Sequence, residues 1–472
     1  MKTKFFLLSV LIFSFVLMQA QIKVASILGD NMVMQRNTEV KIWGKARPGE
    51  KLVITTGWNK VQTSVTTNAK GEWIAKVKTT DAGGPYTITI SSPKEKVLLK
   101  NVLLGEVWLC SGQSNMEMPV AGFNDQPING SNDLLVEADN SNLRLFTVKK
   151  SAITTLQDTC SGKWEVAAAT SVAQFSAVGY FYANQLQQKL KVPVGIINSS
   201  WGGTRIEPWM NKESIAQYPE ALTRSTQEKT ASMQRATNLY NGMIAPIVNF
   251  AIKGAIWYQG ESNIGEYKEY AALMKGMVTG WRKDFGVGEF PFYYVQIAPY
   301  SYNNSKATNS ALQRDEQLRA MALIPNSGMV STIDIGEEKC IHPAEKLTVG
   351  KRLAYWAFAE TYGFKGINYK SPSYKSMSVK DSVAYISFDN TAKGLTTFGK
   401  EVESFEIAGA DKVFFPGKLI TIRLGQALVW APQVKVPVAV RYGFCNFPQT
   451  KGFLYNIAGL PVLSFRTDDW DK

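Results

Sequence analysis

Gly105-Glu-Val-Trp-Leu-Cys-Ser-Gly-Gln-Ser-Asn-Met-Glu-Met-Pro119 begins as an apolar, β-prone segment from Val107 to Cys110. It then breaks at once into the small and polar residues Ser111, Gly112, Gln113, Ser114 and Asn115. A strand that feeds a tight turn carrying a hydroxyl is a way to display a serine nucleophile, because glycine lets the backbone bend sharply and leaves the neighbouring Oγ unobstructed. The same letters also describe a Ser/Asn/Gly turn without chemistry, since short motifs match often by chance. What favours chemistry is distant: the chain contains a single histidine, His342, in a context that fits a partner for Ser114.

From 102 to 366 the pattern around this stretch is strands alternating with helices. Expected strands are Val107–Cys110, Arg144–Val148, Val194–Ser199, Lys253–Tyr258, Phe292–Ile297 and Met329–Asp334. Between them, Val178, Phe181, Tyr182 and Leu186, and later Tyr270, Leu273, Met274, Met277 and Trp281, are spaced to place one apolar stripe on a helix. This alternation predicts an α/β unit, a mostly parallel sheet covered by helices on both faces, with its site beyond the carboxyl ends of the strands. On either side the rhythm is β. Residues 21–101 show short alternating runs punctuated by Gly44, Pro48-Gly49, Gly57, Gly71 and Gly83-Gly84-Pro85, which predicts a small accessory sandwich. Residues 367–472 form a second β-rich region without helical periodicity.

The composition narrows the function classes. The 472 residues are 45% hydrophobic and 19% charged, ordinary for a globular chain. Residues 1–20 read as a signal peptide: Lys2 and Lys4, an apolar run from Phe5 to Met18, then Gln19-Ala20. Export to a periplasm or beyond is therefore expected; without a cysteine after Ala20, a lipid anchor is not, and no membrane-spanning segment is read. Leaving out Lys2 and Lys4 lowers the formal charge from +13 to +11, and the basic residues are dispersed, which argues against a nucleic-acid partner. Cys110, Cys160, Cys340 and Cys445 are too few and scattered for a disulfide framework, leaving at most one or two bridges, and one histidine makes no zinc site.

Three further loops follow strands at the same sheet edge as Ser114: Ser199–Arg205, Gln259–Asn263 and the segment from Asp334 to Pro343. If Ser114 is a nucleophile, His342 must be its base, imidazole being matched to neutral pH. Pro343 and the apolar positions through Ala357 predict a helix with proline first, so the imidazole would meet a positive helix end that disfavours its protonation. Candidate oxyanion donors are Ser114 N–H, a backbone N–H of Gly202 or Gly203, and the side-chain amide of Asn263 or Gln259. Gln113 and Glu261 are further candidates for the oxyanion or the substrate. Arg205 and Trp209 are candidates to pair with a sugar carboxylate and stack on a ring.

Taken together, the Gly-Gln-Ser-Asn-Met turn, Trp201-Gly-Gly-Thr, Trp257-Tyr-Gln-Gly-Glu-Ser-Asn263, Ile341-His-Pro and Gly459-Leu-Pro-Val-Leu-Ser-Phe-Arg-Thr-Asp468 resemble sialate O-acetylesterases of the SGNH hydrolase superfamily. The resemblance runs from about Val24 to Asp468. It implies a flavodoxin-like catalytic domain, removal of O-acetyl groups from sialic acids and no cofactor; the residues themselves suggest no metal site. It also implies Ser114 as nucleophile, His342 as base, and the Gly202 and Asn263 loops as oxyanion hole. One position departs from the superfamily: Lys339 stands where an aspartate often precedes the histidine by three residues. The ring would then be oriented by Asp334, Glu337 or Glu338, or by a backbone carbonyl such as that of Cys340. Other acetylated glycans such as xylan are the alternative substrates. A glycosidase using Glu261 with a second carboxylate, or a non-catalytic glycan-binding protein, ranks below both.

Overall fold

The computed structural model describes residues 21–423 and 425–470, so the expected signal peptide at 1–20 lies outside the described residues. Six strands form the centre: β1 (Lys96–Gly112), β2 (Asn140–Thr147), β3 (Val194–Ser200), β4 (Gly254–Tyr258), β5 (Phe292–Val295) and β6 (Ser327–Val330). They lie in the order β2-β3-β1-β4-β5-β6, all parallel, with Trp164–Ala167 antiparallel to β2 at one edge.

Five helices matter for the site: α1 (Ser114–Glu117), α2 (Ala177–Leu190), α3 (Tyr267–Phe285), α4 (Asn309–Leu323) and α5 (Lys346–Trp356). Successive strand residues point to opposite faces, so this sheet feeds two cores. Trp108, Cys110, Ile256, Tyr258 and Tyr293 enter one, with Val178, Phe181 and Leu186 of α2 and Val349 and Leu353 of α5. Val107, Leu109, Ala255, Trp257 and Phe292 enter the other, with Tyr270, Leu273, Met277 and Trp281 of α3. Near-continuous apolar strands are what burial on both faces demands.

The start of α5 differs from expectation. Its first residue is Lys346, and Glu345 caps it, Oε1 accepting from Thr348 N–H at 3.3 Å and Thr348 Oγ1 at 2.6 Å. The carboxylate cap satisfies Thr348 N–H, one of the first-turn donors that a helix leaves without an internal partner, and Pro343 and His342 belong to the loop before the helix.

The N-terminal region is β as expected, and Glu72–Lys78 buries every second residue. The boundary expected at 101/102 falls inside β1. Asn101 adopts a positive φ of 53°. Pairing nevertheless continues across it: Leu99 faces Ile88, Val102 faces Tyr86, and Leu103 faces Val33. The C-terminal β region is a seven-stranded antiparallel sheet around Ala384, Ile386, Phe405, Val429 and Val440. Among the described residues no helix is long and apolar enough to cross a membrane.

Because β1 lies between β3 and β4, the chain's winding reverses there, and the crevice beyond the carboxyl end of β1 is the natural place for a ligand. Ser114 stands at that end.

Candidate active site

Gly112 ends β1 at φ +138°, and a Cβ there would lie 2.1 Å from the Tyr258 carbonyl oxygen, so the bend into Ser114 needs glycine. Gln113 then locks the turn to its neighbour. Its N–H donates to Tyr258 O at 2.9 Å, and its Oε1 accepts from Gly260 N–H at 3.2 Å and Ser262 N–H at 3.3 Å. Gln113 is thus a brace between two site loops, buried at 3% exposure rather than open to a substrate.

Ser114 Oγ lies 2.7 Å from His342 Nε2. The two residues singled out 228 positions apart are brought into hydrogen-bond contact. Burial pushes the imidazole down to about 4, helped by the nearby Lys346 ammonium, so the ring is neutral and free to accept a proton. The direction is the expected one, but the cause is burial and a lysine.

The opposite ring nitrogen, His342 Nδ1, lies 2.6 Å from Gln126 Oε1, and Phe123 meets the ring edge-on at 5.3 Å between centroids. None of the expected orienting groups is there. Asp334 is held in a two-pronged ion pair by Arg352, at 2.8 and 2.7 Å. Glu337 Oε1 accepts from Ala344 N–H at 2.7 Å, and Glu338 Oε1 accepts from Gln449 Nε2 at 2.7 Å. The Cys340 carbonyl is not the partner either. Each acid lies near His342 in sequence but is claimed by another donor.

Beneath the turn sits a buried polar cluster. Asn115 Nδ2 donates to Glu261 Oε1 at 2.6 Å and to the Ile341 carbonyl at 3.0 Å, while its Oδ1 accepts from Lys346 Nζ at 2.5 Å. Burial pushes the Lys346 ammonium down to about 7 and raises the Glu261 carboxyl. Asn115 therefore ties the serine turn to the residue before His342. Glu261, 7% exposed and bonded inward, is poorly placed to attack or protonate a sugar, which removes the footing of the glycosidase alternative.

Among the oxyanion candidates, Asn263 is 1% exposed and fixed on three sides. Its Oδ1 accepts from Ile206 N–H at 3.0 Å and Gln259 Nε2 at 2.8 Å, and one Nδ2 proton goes to Glu207 Oε2 at 3.1 Å, leaving the other uncommitted. Gln259, 0% exposed, spends its Nε2 on Asn263 and the Thr204 carbonyl and its Oε1 on Tyr270 OH, so it supports Asn263. Gly202 is close to the serine: a Cβ on it would lie 3.1 Å from Ser114 Cβ. Its N–H donates to Glu117 Oε2 at 2.5 Å, and Glu117 is in turn paired with Lys150, which stands 5.5 Å from the Trp201 ring centroid. Gly203 adopts φ +73° and its carbonyl accepts from Gln234 Nε2.

The two residues expected at the substrate are placed differently. Trp209 is 0% exposed, donates to Thr204 Oγ1 and packs edge-on to Trp257, so no sugar ring can stack on it. Arg205 is paired with Glu266 at 3.2 Å and braces its loop. Sequence reasoning missed Gln126, Lys346 and the structural part played by Asn115. Lys346 carried a faint signal, a lysine in the first turn of an expected apolar helix; Gln126, in a polar loop, carried none. All four cysteines are free.

A serine hydroxyl bonded to a neutral imidazole, at the carboxyl edge of a parallel sheet and beside buried amide donors, is the site of a serine hydrolase. Comparison with known proteins agrees. Residues 104–358 match the family model described as carbohydrate esterase, sialic acid-specific acetylesterase. Sialate O-acetylesterase of Rattus norvegicus is 28% identical over 449 residues, covering 81% of each chain. That of Homo sapiens is 30% identical over 383 residues, covering 74% of this chain and 72% of the relative. The crystal structure of a carbohydrate acetylesterase from Xanthomonas citri superposes with a TM-score of 0.87 at 34% identity, covering 95% of this chain and all of that one. The chain belongs to the sialic acid-specific acetylesterase family of carbohydrate esterases, enzymes that hydrolyse O-acetyl groups from carbohydrates.

Proposed function

We propose that this protein removes O-acetyl groups from sialic acids through an acetyl-enzyme on Ser114. The contact between Ser114 Oγ and His342 Nε2 carries the reading. His342 takes the hydroxyl proton as Oγ attacks the acetyl carbonyl, and the resulting imidazolium gives it to the departing sugar oxygen; water then repeats the cycle and releases acetate. The tetrahedral oxyanion is met by Ser114 N–H and the uncommitted Asn263 Nδ2 proton. Gly202 N–H, the other expected donor, is held by Glu117 Oε2. With β2 set aside as an added strand, the sheet order β3-β1-β4-β5-β6 supports a flavodoxin-like, SGNH-type catalytic domain.

A second reading, deacetylation of other glycans such as xylan, is favoured by one observation. Arg205, the side chain best suited to a sialic acid carboxylate, is engaged by Glu266. Acetate release from O-acetylated sialic acid beside acetylated xylan tests the choice. Turnover of the sialic acid ester alone supports the proposal, and turnover of xylan alone overturns it. Organophosphate labelling mapped to Ser114 checks the nucleophile independently.

A further inference from the structure

We propose that Gln126 is the positioning residue for His342, standing where an acid would complete a triad, so that hydrolysis runs on Ser114 and His342 with a neutral amide as third member. This rests on the reading of those two residues as nucleophile and base.

The geometry is direct: Gln126 Oε1 lies 2.6 Å from Nδ1 while Ser114 Oγ lies 2.7 Å from Nε2. For Nε2 to accept the serine proton it must carry none, so the ring proton sits on Nδ1 and needs an acceptor. An amide oxygen supplies one. The loop bearing Gln126 is built to hold it there. Gln126 and Phe123 exchange backbone hydrogen bonds at 3.0 and 3.1 Å, forming a small closed turn whose Phe123 ring abuts the imidazole. The same loop is fastened beyond the histidine, where Asn129 N–H donates to the Ala344 carbonyl at 3.1 Å and Asn129 Nδ2 to Glu345 Oε2 at 3.3 Å. The loop is therefore fastened to the His342 segment just beyond the histidine, and its Phe123 ring packs against the imidazole itself. Meanwhile Asp334, Glu337 and Glu338 are each held by a different donor.

A neutral acceptor fixes the tautomer as a carboxylate would, but it offers far less to the positive charge that appears on the ring during attack. The enzyme keeps its base unprotonated in more acidic solution and forgoes part of the stabilisation of the imidazolium.

The test uses the full-length protein, a small acetyl ester, and kcat and KM measured against pH for Gln126→Glu, Gln126→Ala and His342→Ala. Gln126→Glu is nearly isosteric and places a carboxylate on Nδ1; the acid limb of kcat should move up by about 1 pH unit or more. Gln126→Ala should lower kcat by about 10- to 150-fold, the range for losing one hydrogen bond to a charged group, with KM little changed. A Gln126→Glu profile superimposable on that of the parent overturns the proposal. So does a Gln126→Ala enzyme with unchanged kcat. An active His342→Ala enzyme would instead overturn the underlying assignment of the base.

Discussion

Asp334 was a natural choice of third triad member, and its replacement by alanine should cost stability while leaving the chemistry in place. Its carboxylate is gripped by Arg352 through two hydrogen bonds of 2.8 and 2.7 Å, and each side chain is only 7% exposed. Arg352 also donates to the Ser331 carbonyl at 2.8 Å, which pins the strand-end loop to α5. Removing one partner of such a pair leaves a buried charge uncompensated, typically costing about 3 to 5 kcal/mol. With an unfolding entropy near 2.1 cal/mol/K per residue over roughly 450 residues, that corresponds to a melting point lower by about 3 to 5 °C if the chain unfolds as one unit. The assay pairs a thermal melt with kcat and its pH profile, measured well below the transition. An Asp334→Ala enzyme that melts normally but has lost several orders of magnitude in kcat would refute the reasoning and restore Asp334 as the orienting acid. A double replacement of Asp334 and Arg352 by apolar residues should recover much of the lost stability, because the cost lies in the orphaned charge.

The remaining expectations concern the site itself. Ser114→Ala should abolish ester hydrolysis with the fold intact, since the turn is shaped by Gly112 and Gln113; retained activity in a folded variant would contradict the nucleophile. His342 acts as the neutral ring and is pushed down to about 4, so activity should persist as pH falls through 6.5 and disappear near 4; an acid limb above 6.5 would contradict the burial argument. Lys346→Met should raise that limb, because the ammonium helps to keep the ring unprotonated. Asn263→Ala should lower kcat by about 2.7 to 4 kcal/mol of transition-state stabilisation. It should also lower the melting point, because Ile206 N–H, Gln259 and Glu207 lose a buried partner; an effect confined to KM would make Asn263 a substrate contact.

The sheet was legible because strands buried on both faces advertise themselves as apolar runs, and α2 and α3 because their stripes repeat at helical spacing. Ser114 and His342 were legible for a chemical reason, since a single histidine leaves only one candidate base. What stayed hidden depends on three-dimensional partners. Asp334, Glu337 and Glu338 looked available because sequence does not display that Arg352, Ala344 N–H and Gln449 claim them. Gln126 was invisible because an amide in a polar loop has no pattern until the loop closes over the imidazole. Trp209 looked like a sugar platform, yet its indole fills a core shared with Trp257, as most tryptophans in so large a protein must. The start of α5 was misplaced because proline is a strong start signal and a glutamate cap a weak one.

β1 is one 17-residue strand whose first half is zipped to the N-terminal β region and whose second half carries the serine turn. Gln35 reinforces the join, its Oε1 accepting from Val107 N–H at 2.9 Å, and Arg36 pairs with Glu106 at 2.6 Å. An engineer wishing to trim this enzyme to its hydrolase portion would therefore be cutting a shared beam. A fragment starting near 104 would strip Leu104 of its partners Met34 and Gly83, expose its apolar side chain and leave the Glu106 carboxylate without Arg36 and Gln35, held by Tyr362 OH. The N-terminal region is less an attachment than a splint for the catalytic strand, and minimal versions of this protein should be sought by shortening loops on the far side of the sheet.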